Sequence, residues 1–112
     1  MEGYLRLEKE GADFNISNDF GVTPLMSAAH SGNLSLVKLL LKYVNNVNEE
    51  DKEGNTALYY AVENNHLDVV KVLHEHGAKI SDFIYMYSIT ANKKNIVRYF
   101  DMQDKNKQVF LQ

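Results

Sequence analysis

Gly21-Val22-Thr23-Pro24-Leu25-Met26-Ser27-Ala28-Ala29 is answered 33 residues later by Gly54-Asn55-Thr56-Ala57-Leu58-Tyr59-Tyr60-Ala61-Val62. The pairing continues from Gly32-Asn33-Leu34-Ser35-Leu36-Val37-Lys38-Leu39-Leu40 to Asn65-His66-Leu67-Asp68-Val69-Val70-Lys71-Val72-Leu73, without a slip of register. A fixed period of this length implies stacked units, each burying its apolar face only against its neighbours. Such a stack offers an extended surface and usually no closed catalytic pocket. The expected function therefore moves from chemistry toward partner binding.

Each unit carries its own helix signals. Thr23-Pro24 reads as an N-cap followed by proline at the first helical position, where a missing N–H costs nothing. This inner helix is expected to reach about His30, with Ser27, Ala28 and Ala29 small enough for close helix approach. Gly32-Asn33 makes the turn, and Asn33 caps an outer helix with Leu34, Val37, Leu40 and Leu41 along one stripe. In the second unit Thr56 caps an inner helix to about Asn64, Asn65-His66 turns, and Gly77 closes the outer helix.

The pattern extends both ways. Leu7 lies 33 residues before Leu40, so Tyr4 to Glu10 reads as the tail of an earlier outer helix, closed by Gly11. Downstream, Ile96-Val97-Arg98-Tyr99-Phe100 matches Val69 to Leu73 after only 27 residues, and the missing six fall at the start of the unit. Ser81-Asp82 is expected to cap a helix directly, from Phe83 to about Ala91. Lys93, Lys94, Arg98, Asp101, Asp104 and Lys105 give this last unit an expected polar outer face, as a stack end requires. Beyond it, Phe110 in the terminal segment either frays or folds back.

At these residues the chain resembles a known family. Gly21 to Leu25 and Asp51 to Leu58 resemble the start of an ankyrin repeat; Gly11-Ala12-Asp13-Phe14-Asn15 and Gly77-Ala78-Lys79-Ile80 resemble the loop that closes one. The resemblance runs from about residue 5 to about residue 100. It implies an all-α fold: an ankyrin-repeat solenoid of paired antiparallel helices with finger loops. Two complete repeats are flanked by a partial N-terminal repeat and an atypical C-terminal capping repeat. The expected division of the single domain 1–112 is 4–17 partial repeat, 18–50 repeat, 51–80 repeat, 81–101 cap and 102–112 tail.

Composition removes several function classes. A chain of 112 residues with net charge −3 is one domain without a basic footprint for nucleic acid or an anionic membrane. It has no cysteine, so neither a disulfide scaffold nor a thiolate metal site is expected. No apolar run approaches the roughly 20 residues of a membrane span. The expected setting is intracellular, cytoplasmic with the nucleus left open. His74 and His76 stand about 200° apart on a helix and cannot chelate one ion from one face. Glu49, Glu50, Asp51 and Glu63 read as solvated acids, not as a carboxylate pair across a cleft. There is no Gly-rich phosphate loop or nucleophile elbow. No cofactor, metal or catalytic residue is assigned.

The expected function is therefore a non-catalytic module that binds an unidentified protein partner. The alternative is a structural or regulatory spacer of a larger ankyrin-repeat protein, self-associating through an open N-terminal edge at Tyr4, Leu5 and Leu7; the expected state is a monomer or weak homodimer. In proteins with this resemblance, partners usually dock on the concave side, along finger tips and inner helices. The corresponding positions are Asp19, Phe20, Val22, His30 and Ser31, then Lys52, Glu53, Asn55, Glu63 and Asn64. Tyr60 and Phe83 join them as aromatics expected to be exposed. Phe20, bracketed by Asp19 and Gly21, reads either as an apolar anchor ringed by polar residues or as a side chain folded on the next finger. Tyr59 and Met26 occupy the position where the family usually carries a histidine linking adjacent loops, which leaves that link open. Asn15 and Asn48 stand eight residues after Leu7 and Leu40, the spacing at which such proteins can be hydroxylated on a finger asparagine. The plainer reading is that each fixes a turn by its own side chain.

Overall fold

The computed structural model describes residues 14–103. The expectations for Tyr4, Leu5, Leu7, Gly11, Asp104, Lys105 and Phe110 lie outside them. Among the described residues six helices follow one another: α1 (Pro24–Ser31), α2 (Leu34–Leu40), α3 (Ala57–Glu63), α4 (Leu67–Glu75), α5 (Asp82–Thr90) and α6 (Lys94–Gln103). They pair as hairpins, α1 with α2, α3 with α4 and α5 with α6. The inner helices pack in one row, α1 on α3 and α3 on α5; the outer helices form a second row. The described residues are all-α.

Helices of seven to ten residues are marginal on their own and depend on packing and caps. Thr23 accepts from the Met26 amide at 3.2 Å, and the Thr23 N–H donates to the Met26 sulfur at 3.4 Å. Met26 thus supplies the reciprocal half of a capping box, usually the work of a glutamate. The Asn33, Thr56 and Ser81 side chains cap α2, α3 and α5 by accepting from the amides of Leu36, Tyr59 and Ile84, without the reciprocal bond. The last described helix, α6, reaches Gln103, where the described residues end.

The core runs continuously through the stack. Ala29, Val37, Ala61, Val62, Val69, Val70, Leu73 and Ile96 are all 0% exposed. His66 adds a polar seam: its ring lies where a Cβ on Gly32 would stand, 2.6 Å from that position, and its Nε2 is 3.2 Å from the His30 carbonyl oxygen. A glycine at residue 32 therefore makes room for the histidine of the next unit.

The final unit differs from the sequence expectation on its outer side. Lys94, Arg98 and Phe83 (63%) are exposed as expected, but Met86 (55%), Ile89 (44%) and Met102 (60%) are exposed with them.

Candidate functional site

The two fingers that precede α1 and α3 are built by one device used twice. The Asn18 side-chain oxygen accepts from the amides of Phe20 (2.9 Å) and Val22 (3.0 Å). Thirty-three residues on, an Asp51 carboxylate oxygen accepts from Glu53 and Asn55, both at 2.9 Å. Each side chain thus closes its own hairpin and fixes the direction of the finger tip. Gly21 and Gly54 complete the turns at φ of 80° and 83°.

The second finger is also tied to its helix. The Tyr60 hydroxyl donates to the other Asp51 oxygen, which holds Tyr60 half-buried. This corrects the expectation that Tyr60 is exposed: the phenol is drawn in by a carboxylate nine residues earlier in the chain. Burial alone would raise the Asp51 pKa. The Tyr60 hydroxyl and the amides of Asn55, Glu53 and Gly54 outweigh it and hold the carboxyl below its ordinary 3.8. The same contact, with burial, pushes the Tyr60 phenol up. Tyr59 is pushed up to about 12, first by burial and then by the charge of Glu63.

Adjacent loops are linked without the histidine whose absence left the link open. The Lys52 N–H donates to the Phe20 carbonyl at 3.0 Å, joining finger to finger. On the opposite loops, Asn48 donates to the Gly77 carbonyl (3.1 Å) and accepts from the Lys79 N–H (2.7 Å). Asn15 accepts from the Asn45 N–H at 2.7 Å. Both asparagines therefore fix a loop by their own side chains, and the loop is that of the following unit.

Of the twelve residues singled out in the sequence, Val22, His30, Ser31 and Tyr60 come together. With Met26 and Ser27 they line a hollow of about 290 Å³ between α1 and α3. The His30 ring lies 5.9 Å from that of Tyr60. Asn55 and Phe83 share a smaller hollow of about 120 Å³ with Tyr59 and Lys79. Phe83 stacks on Tyr59 at 5.9 Å yet stays 63% exposed. Phe20 is 72% exposed, so its ring is not folded on the neighbouring finger. Asp19, Lys52 and Glu53 stand exposed on the fingers, while Glu63 and Asn64 are half-buried and line neither hollow. The Asn64 amide is engaged by the Tyr60 carbonyl at 2.9 Å.

Met26 and Ser27 were not singled out as lining residues, although both lie one helical turn before His30 and Ser31 and share their face. Tyr59 and Lys79 reach the second hollow only through the stacking of units, which no local pattern reveals. Among the described residues, no three His, Asp or Glu side chains gather in a way that could hold a metal ion, and no helix is long and apolar enough to cross a membrane. His74 and His76 have separate partners, the Tyr99 hydroxyl (3.0 Å) and the Val72 carbonyl (2.9 Å). The arrangement offers apolar and hydrogen-bonding surface to a partner.

Comparison with known proteins agrees in kind. Residues 3–84 match the family model for ankyrin repeats in three copies. An ankyrin repeat protein of Acanthamoeba polyphaga mimivirus is 31% identical over 98 residues, 81% of this chain and 13% of that protein. Ankyrin repeat and SAM domain-containing protein 6 of Rattus norvegicus is 39% identical over 85 residues, 70% of this chain and 10% of that protein. Osteoclast-stimulating factor 1 of Gallus gallus is 50% identical over 50 residues, 45% of this chain and 25% of that protein. The chain thus spans between a tenth and a quarter of the length of these curated relatives.

Proposed function

The chain belongs to the ankyrin-repeat family, whose members are generally non-enzymatic protein-interaction modules, and from that premise we propose that it binds a protein partner on the inner-helix face. The observation that carries this reading is the hollow between α1 and α3, lined in part by Val22 of the finger whose tip carries the exposed Phe20. An exposed aromatic on a finger that also lines a concave, partly apolar site has the composition of an interface hot spot. His30 and Ser31 rim the hollow, while Lys52 and Glu53 bring both signs of charge to the second finger. A partner of mixed charge fits this surface better than a polyanion does. Asp19, Asn55, Glu63, Asn64 and Phe83 widen the candidate area at its edges.

The test is affinity capture from host lysate followed by titration of the captured protein. Phe20→Ala and Ser31→Arg, the second of which fills the hollow, should each weaken binding by about tenfold or more. Both positions are exposed, so circular dichroism should show unchanged melting. Full affinity in both variants would place the interface elsewhere.

A second reading is a spacer segment of a larger repeat protein, favoured by the small share of the relatives' length that the chain spans. Under that reading both variants would be silent, and only deletion of the segment would alter its host protein.

A further inference from the structure

Three turns define a common register for the units. The amides of Gly32, Asn65 and Asn92 donate to the carbonyls of Ala29, Val62 and Ile89, and all three turn residues have positive φ (74°, 61° and 62°). Ala29, Val62 and Ile89 are therefore structural equivalents. On the outer helices so are Val37, Val70 and Val97, whose amides bond to Asn33, His66 and Lys93. Ala29, Val62, Val37 and Val70 are all 0% exposed, because the next helix pair covers them. Ile89 is 44% exposed and Val97 only half-buried. Met86, equivalent to Tyr59 in the same register, is 55% exposed.

The last unit thus keeps apolar residues at the positions that are sealed in the two units before it. Its inner helix α5 (Asp-Phe-Ile-Tyr-Met-Tyr-Ser-Ile-Thr) is apolar round most of its circumference, the pattern of a helix covered on both sides. Between α5 and α6 lies a groove of about 470 Å³ with Ile89, Val97 and Met102 in its lining and Lys93, Lys94 and Arg98 beside them. Among the described lining residues Asp101 is the single carboxylate, and it already accepts from the Tyr85 hydroxyl at 2.6 Å.

We propose that this end face docks an amphipathic helix of a partner protein, aliphatic along one side and flanked by carboxylates. The apolar register residues call for a helical cover, and the charges choose which. A second copy laid face to face would set three cations against three, which opposes association. An acidic helix meets the same cations with opposite charge. Recognition is of the helix-in-groove kind, over the length of α6, about 15 Å. The surface is distinct from the hollow between α1 and α3 and does not depend on it.

The experiment is fluorescence anisotropy of the full chain with three labelled helical peptides that share one leucine stripe. Their remaining positions are all glutamate, all glutamine or all lysine. The glutamate peptide should bind saturably and at least about tenfold tighter than the lysine peptide in low salt, with the gap closing as salt rises. Ile89→Asp should weaken its binding at least tenfold with melting unchanged, and Lys94→Glu with Arg98→Glu should invert the peptide order. No saturable binding of the glutamate peptide, or equal affinity for all three, overturns the proposal. So does a concentration-dependent dimer in sedimentation velocity that Ile89→Asp dissolves, which would assign the face to a second copy.

Discussion

Asn18 and Asp51 perform the same task with different chemistry. Both collect two amides on one side-chain oxygen, but only Asp51 has a second oxygen that takes the Tyr60 hydroxyl. Asn18 therefore serves as an internal control for Asp51→Asn, which keeps the amide acceptor and removes the charge. A carboxyl held below its ordinary 3.8 in the folded chain contributes stability that is fully present above that value. The contribution is lost as the pH falls through the lower folded value. Asp51→Asn should cost about 1 kcal/mol at neutral pH, the scale of one charge-assisted hydrogen bond. Its urea midpoint should also fall less than that of the parent chain between pH 5 and about pH 2. Identical acid slopes in the two proteins would mean that Asp51 carries no such linkage.

Fingers pack on fingers through backbone, and that contact separates two glycines that look alike in the sequence. A Cβ at Gly21 would stand 2.9 Å from the Lys52 nitrogen, whereas a Cβ at Gly54 would meet nothing within 4 Å. Both have positive φ, which alone disfavours alanine by about 1–2 kcal/mol. Gly21→Ala should therefore destabilise more than Gly54→Ala, by about a further 1–2 kcal/mol for overpacking against backbone. Thermal or urea melts of the two variants check the order, and equal losses would refute the close approach. The same contrast marks what was readable beforehand. The caps Thr23, Asn33, Thr56 and Ser81 act on amides three residues away, so they and the helices they start were legible. The hollow was half legible: His30 and Ser31 were singled out, but Met26 and Ser27 on the same helix face were passed over. Asn48 bonding to Gly77 and Lys79, and His66 filling the space above Gly32, bridge residues about 30 apart. No local pattern carries such pairs. The shared task of Asn18 and Asp51 was hidden because the repeat matches by geometry there and not by residue identity.

Packing in this stack is between nearest neighbours, so cooperativity rests on a few interfaces. Leu40 is 2% exposed in the core at the end of α2. Leu40→Ala should cost about 2–4 kcal/mol through the cavity it leaves. Against a total of roughly 5–15 kcal/mol for a small domain, that loss is large. The consequence need not stay local, because α1 covers α3 and α2 touches α4. Two probes can follow its spread. Far-UV circular dichroism reports all the helices. Tyrosine fluorescence, in a chain without tryptophan, is weighted to the second and third units by Tyr59, Tyr60, Tyr85, Tyr87 and Tyr99. If the stack unfolds as one body, Leu40→Ala lowers both transitions by the same amount, although the substitution lies in the first unit. A tyrosine transition that stays at its parent midpoint while the dichroism splits into two steps would show that the second and third units hold without the first.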